Sequence, residues 1–146
     1  MNRKDFFRSC GGLCLGVSAV LPFLAGCGAI HYANATFDKD RLVVSRSEFL
    51  KEKNGAKTER SFVVIRMEKL PFPICIFRHH QQGFISLYME CTHSSCELTP
   101  HGDYLICPCH GSEFNIHGEV QNPPAEQNLR TFKTTFDDNS IFISLI

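Results

Sequence analysis

Two stretches of this sequence carry side chains that bind metals and pass electrons: CTHSSC at 91–96 and CPCHGSEF at 107–114. They hold Cys91, His93, Cys96, Cys107, Cys109 and His110. One residue separates Cys91 from His93, and two separate Cys107 from His110. Two thiolates and two imidazoles suit two different centres. A single zinc ion takes all four tetrahedrally. A two-iron, two-sulfur cluster takes both cysteines on one iron and both histidines on the other. A one-residue gap strains chelation of one ion, whereas a cluster lets Cys91 and His93 reach different irons, as it does Cys107 and His110. Each loop then clamps both metals.

Loops of this kind need a rigid scaffold. From about Thr36 the chain alternates short apolar runs with turn residues: RLVV (41–44), FVVIRM (62–67), ICIF (74–77), FISLYM (84–89) and IFISLI (141–146). Branched and aromatic runs of this length read as strands. KEKNGAKTER (51–60) reads as a solvated loop, and DDNS (137–140) as the turn of a hairpin between TFKTTF and the last strand. No long stretch has helical periodicity. The expectation is one all-β domain over 36–146, mostly antiparallel, with both cysteine–histidine motifs at strand ends.

The 146 residues leave room for one domain plus a targeting segment, and fifteen basic against fifteen acidic residues with no basic run give no sign of nucleic-acid binding. MNRKDFF places positive charge ahead of residues 10–30, which carry none, as in a secretory signal. LAGC at 24–27 has the form of a lipoprotein cleavage site, which makes 1–26 a signal peptide, Cys27 the lipid-bearing residue and 27–35 a linker. The alternative is an uncleaved anchor, since residues 10–30 suffice to cross a hydrocarbon core of about 30 Å. RKDFF also resembles a twin-arginine export signal, with Lys4 in place of the second arginine. Either way the domain is expected to be exported, membrane-held and facing the periplasm or cell exterior.

CTHSSC together with CPCHGSEF resembles the Rieske iron–sulfur family, in the branch of the cytochrome bc-type quinol oxidoreductases. GEVQNPPAEQNLRTFKTTFDDNSIFISL resembles that family's ending. The resemblance implies a Rieske-type antiparallel β sandwich with a cluster-binding subdomain formed by the two loops. It implies one 2Fe-2S cluster, with Cys91 and Cys107 on the buried iron and His93 and His110 on the iron nearest solvent. Cys96 and Cys109 would form a disulfide between the loops, which suits an oxidising compartment. Ser112 would hydrogen-bond a bridging sulfide, and Pro123 and Pro124 would shield the third side. This chain departs from the branch in having Ser94-Ser95 for Leu-Gly, a shorter segment between the motifs, and Phe114 where a tyrosine often stands.

The ligand set has an electrostatic consequence. Replacing two thiolates with neutral imidazoles removes two unit charges near 4 Å, worth roughly 8 kcal/mol or about 0.35 V per electron at an effective dielectric of about 20. That is the size of the rise from about −400 mV to the Rieske range. Phe114 offers no hydroxyl to a ligand sulfur, so a potential below that of tyrosine-bearing relatives is expected, suited to a menaquinol.

These features imply an electron-transfer subunit rather than a stand-alone enzyme, serving redox partner proteins of a quinol-oxidising membrane chain. Two alternatives are a small Rieske subunit of an exported oxidase and a zinc- or disulfide-stabilised binding lipoprotein. No Ser–His–Asp set or carboxylate pair supports a second catalytic site. His31, His79, His80, His101 and His117 read as ordinary surface histidines, and Cys75 as a small core residue.

Overall fold

FVVI and ICIF are apolar at every position, a pattern that demands cover on both faces of a sheet. The computed structural model, which describes residues 29–146, provides it. β5 (Phe62–Ile65), β6 (Ile74–His79), β7 (Gly83–Tyr88) and β12 (Thr131–Phe132) form an antiparallel sheet in the order β12-β7-β6-β5. Val63, Ile65, Ile74, Ile76 and Phe84 point to one side, where they meet Leu42, Val44, Ile141 and Ile143. Those four belong to a second sheet of β1 (Ala35–Asp38), β2 (Arg41–Ser45), β13 (Thr134–Phe136) and β14 (Ser140–Ser144), ordered β1-β2-β14-β13. Val64, Cys75, Phe77 and Leu87 point to the other side and pack with Leu98, Leu105, Phe114, Leu129 and the two motif cysteines Cys91 and Cys107.

That second layer is a small sheet of β8 (Thr99–His101), β9 (Tyr104–Ile106), β10 (Glu113–Asn115) and β11 (Val120–Asn122), ordered β11-β10-β9-β8. The central sheet therefore shares one face with the β sandwich and the other with the subdomain that carries both motifs. Burying each Ile, Leu or Phe side chain in these layers contributes roughly 1.5–3 kcal/mol. Cys75 is fully buried between the layers, and burial pushes its thiol well above the ordinary range, as a core residue requires.

Three sequence expectations change. KEKNGAKTER is a hairpin, not a loop: β3 (Leu50–Lys53) pairs with β4 (Ala56–Glu59), every residue exposed. Asn54 (φ 54°) and Gly55 (φ 76°) make the two-residue turn that matches strand twist, and this turn chemistry overrides the segment's polarity. TFKTTF is not one strand. Thr131–Phe132 pairs with β7, and Thr134–Phe136 pairs with β14, so the chain changes sheets at Lys133. Finally, the chain engages the domain before Thr36. Val64 N–H donates to the carbonyl of His31, Ala33 N–H donates to that of Val64, and His31 Nε2 lies 2.6 Å from the Glu48 carboxylate. Glu48 lies in the 3₁₀ turn Arg46–Phe49, one residue before its end at Phe49. Burial pushes its carboxyl up, but hydrogen bonds from His31 and Asn34 outweigh this and hold it below the usual carboxylate range.

The turn at 137–140 forms as expected, with the Asp137 carboxylate accepting from Asn139 and Ser140 N–H. The expected signal segment 1–26 and the lipid-bearing Cys27 lie outside the described residues. Among the described residues no helix is long and apolar enough to cross a membrane.

At the end of the sheet remote from the motifs, Gly83 (φ 82°) begins β7 under the Phe136 ring, where a Cβ would come within 2.2 Å of Phe136 Cε1. Phe136 in turn packs edge-on against Phe84, centroids 5.3 Å apart. Gly83→Ala is expected to cost about 2 kcal/mol, from left-handed strain plus loss of this aromatic contact. Chemical denaturation measures it, and the cost should fall by about half when the substitution is made in a Phe136→Ala background.

Candidate metal centre

The two motifs fold as turns with one backbone pattern. In the first, Cys91 N–H donates to the carbonyl of Cys96 (2.9 Å) and Ser95 N–H to that of Cys91 (2.8 Å). In the second, Cys107 N–H donates to the carbonyl of Ser112 (2.8 Å) and Gly111 N–H to that of Cys107 (2.9 Å). Each turn thus opens on a buried cysteine and carries a left-handed residue at its fifth position, Ser95 (φ 49°) or Gly111 (φ 79°). The third position holds His93 in one turn and Cys109 in the other. The fourth holds Ser94 and His110.

Although they occupy different slots, His93 and His110 meet at the exposed tip with ring centroids 5.2 Å apart and planes at 86°. Cys96 and Cys109 form the disulfide that the resemblance implied, joining the turns with Cα atoms 6.5 Å apart.

Ser95 stands where the branch has glycine, in the conformation that glycine adopts without strain. A serine there stores left-handed strain, so Ser95→Gly is expected to raise stability by about 0.5–1 kcal/mol. An unchanged or lower denaturation midpoint would count against this account of the first turn.

A third loop, bearing the cis Pro123–Pro124 bond, is tied to both turns. Thr92 Oγ1 donates to the carbonyl of Gln127 (2.7 Å) and Asn122 Nδ2 to that of Gly111 (3.2 Å). Ala125 N–H donates to Ser112 Oγ (3.0 Å), and Ser112 is fully buried. The serine oxygen is thereby occupied as an acceptor, which leaves its own proton to donate elsewhere.

Electrostatics around the sulfurs favour an anion. Burial pushes the Cys91 thiol up, yet hydrogen bonds from the Cys107 thiol, from the backbone N–H groups of His93 and Ser94 and from the Ser94 hydroxyl bring it below the ordinary thiol range. Ser94 Oγ also donates to Cys96 Sγ (3.5 Å) and lies 4.0 Å from Cys107 Sγ. The sulfurs of Cys96, Cys107 and Cys109 all lie within 4.8 Å of one another. Sequence reasoning noted Ser94 only as a departure from the branch. Its place between the sulfurs, like the Thr92–Gln127 tie, depends on how the loops fold together.

The structure thus brings the Cys91 and Cys107 sulfurs together in the buried layer and the His93 and His110 rings together at the exposed tip. Phe114, in β10, is fully buried in the cluster of side chains that includes Cys91 and Cys107. Four of the other histidines have local partners, His31 among them through Glu48. His101 stacks on Tyr104, and His79 accepts from Gln81 and Gln82 N–H while facing the His117 ring.

The profile of the Rieske [2Fe-2S] domain matches residues 40–133, more than half of the chain and both motifs with it. The chain belongs to the Rieske family. Its cofactor is accordingly a 2Fe-2S cluster, which decides between the two readings of the ligand set. The donors fit: two buried thiols, two exposed imidazoles side by side, and a buried serine with a proton to give.

This Rieske chain is 34% identical to the cytochrome b6-f complex iron-sulfur subunit of Prochlorococcus marinus (strain MIT 9211), over 99% of this chain and 85% of that one. It is 38% identical over 60 residues to the ubiquinol-cytochrome c reductase iron-sulfur subunit of Blastochloris viridis, an alignment covering 39% of this chain and 34% of that one. For the mitochondrial cytochrome b-c1 Rieske subunits of Schizosaccharomyces pombe and Arabidopsis thaliana the match spans only 25% and 21% of their lengths. Among solved structures, it is similar to the plasma membrane Rieske protein PetC3 from Synechocystis PCC 6803, with a TM-score of 0.51 and 26% identity over 57% of this chain and 86% of that one.

Proposed function

We propose that the chain is an electron-transfer protein of a membrane-held quinol-oxidising chain, with Cys91 and Cys107 on the inner iron and His93 and His110 on the outer one. The observation that carries this reading is that two turns, each opening on a buried cysteine, bring two exposed imidazole rings to 5.2 Å from each other. When bound, the cluster supplies one-electron redox chemistry. The protein's part is to hold it and set its potential. Cys91 and Cys107 anchor it where water is excluded, while His93 and His110 face the solution, where a hydroquinone hydroxyl can hydrogen-bond to an imidazole nitrogen. Ser112 and the backbone N–H groups around Cys91 aim donors at sulfur and favour the added negative charge of the reduced form. The names of the relatives, subunits of cytochrome b6-f and ubiquinol-cytochrome c reductase complexes, support the quinol-linked role.

The test is to mix the purified full chain in detergent with a menaquinol analogue and with a ubiquinol analogue. Reduction seen as a rhombic EPR signal with the former supports the reading, and no reduction by either quinol contradicts it. Phe114 sets the expected preference. Phe114→Tyr supplies a hydroxyl beside the ligand cysteines, and a hydrogen bond of about 1.4 kcal/mol favouring the reduced form would raise the midpoint potential by about 60 mV. A redox titration showing no upward shift would remove Phe114 from the account of potential.

A further inference from the structure

The hydroxyl of Ser94 stands among sulfurs. Ser94 Oγ donates to Cys96 Sγ at 3.5 Å, lies 4.0 Å from Cys107 Sγ and also hydrogen-bonds the Cys91 sulfur. One proton thus faces two sulfurs of the ligand set and one of the disulfide. The side chain is half-buried, and its place is fixed from both sides. The first turn closes through its own Cys91–Cys96 and Ser95–Cys91 backbone bonds, and Thr92 Oγ1 ties it to the carbonyl of Gln127. We propose that Ser94 sets the reduction potential of the centre, its hydroxyl donating to a ligand sulfur and favouring the reduced form. This role rests on the ligand assignment above.

A hydroxyl turns its proton between acceptors without moving a heavy atom. The neutral disulfide sulfur is the weakest acceptor of the three, because a hydrogen bond to an ionised group is roughly twice as strong as one to a neutral group. Once Cys91 and Cys107 are thiolates on a metal, the proton belongs on one of them. An added electron increases the negative charge on those same sulfurs. The bond therefore tightens on reduction, and hydrogen bonds to the sulfurs are among the terms that set such potentials.

Ser94 acts independently of the other side-chain donor. Ser112 reaches the site from the second turn and accepts from Ala125 N–H, a contact that removal of the Ser94 hydroxyl leaves intact. Phe114, buried beside Cys91 and Cys107, has no proton to give. The chain thus lacks a hydroxyl at 114 and carries one at 94, where leucine in the branch it resembles would offer none. Ser94 offsets part of what Phe114 forgoes. A purely structural Ser94 would instead serve the disulfide through Cys96, and the two roles separate by experiment.

Wild type, Ser94→Ala, Ser94→Thr and Ser94→Val are purified anaerobically as full chains in detergent. Threonine and valine match in shape and differ in the hydroxyl. The reduced fraction is read from the rhombic EPR signal as the ambient potential is stepped with mediators. At the wild-type midpoint, the ratio of reduced to oxidised protein should fall about three- to tenfold in Ser94→Ala and Ser94→Val, a drop of about 30–60 mV at about 59 mV per tenfold. Ser94→Thr should stay within about twofold of wild type. Alkylation without reductant, followed by peptide mass spectrometry, should find Cys96–Cys109 closed in every chain. Either hydroxyl-free variant that retains its iron suffices for the comparison. Equal ratios with and without the hydroxyl, in proteins that keep iron and sulfide, would overturn the inference and leave the ligand assignment standing. A drop seen only where the bridge has opened, or loss of iron from both hydroxyl-free variants, would overturn it in favour of the structural role. Wild type without iron and sulfide would overturn the ligand assignment and this inference with it.

Discussion

Cys91→Ser is expected to yield a folded but colourless chain, with iron and acid-labile sulfide near zero. Cys91 opens the first turn, and it is buried in the layer that also holds Cys107 and Phe114. The surrounding donors lower its thiol below the ordinary range: the Cys107 thiol, two backbone N–H groups and the Ser94 hydroxyl. A serine hydroxyl at the same place is a far weaker acid and a harder ligand, so neither the charge nor the metal preference is reproduced. The fold itself should persist, because the β sandwich on the other face of the central sheet is built from separate side chains. The checks are visible absorption and metal analysis, with far-ultraviolet circular dichroism as the control for folding. Full iron content in this variant would mean that Cys91 is not a ligand.

The second large effect is expected on removing the disulfide. Cys96 and Cys109 are thirteen positions apart, so their bond closes a short loop containing β8 and β9. A loop of about 15 residues constrains the unfolded chain by about 3 kcal/mol, a large share of the roughly 5–15 kcal/mol that stabilises a domain. The double variant Cys96→Ser/Cys109→Ser avoids leaving a lone exposed thiol. It should unfold at a clearly lower denaturant concentration and lose its iron faster on standing. The bond is also the covalent link between the His93 turn and the His110 turn, and the remaining ties are the Cys107–Cys91 and Ser94–Cys107 contacts and those through the third loop by way of Thr92 and Asn122. An unchanged denaturation midpoint would show that those ties suffice.

How much of this was legible in the sequence depended on how local the signal was. FVVI and ICIF announced their burial on both faces because no polar residue interrupts them. The ligand candidates stood out because a Cys–His pair one residue apart suits two metals better than one. The β3–β4 hairpin was hidden by its own charge, although Asn54-Gly55 carried the turn signal that polarity obscured. The break at Lys133 had no local mark, since only the positions of two separate sheets demand that the chain cross there. Ser95 was seen as a departure from the family's glycine, but its left-handed backbone belongs to the turn and not to the residue type. Likewise Ser94, Thr92 and Ala125 acquire their roles only when three loops distant in sequence fold against one another.

The ligand assignment meets its most direct test in metal and sulfide analysis of the full chain, purified anaerobically from detergent-solubilised membranes. About two iron atoms and about two acid-labile sulfides per chain are predicted. One divalent ion per chain with no sulfide would contradict the assignment of Cys91, His93, Cys107 and His110 to an iron–sulfur cluster.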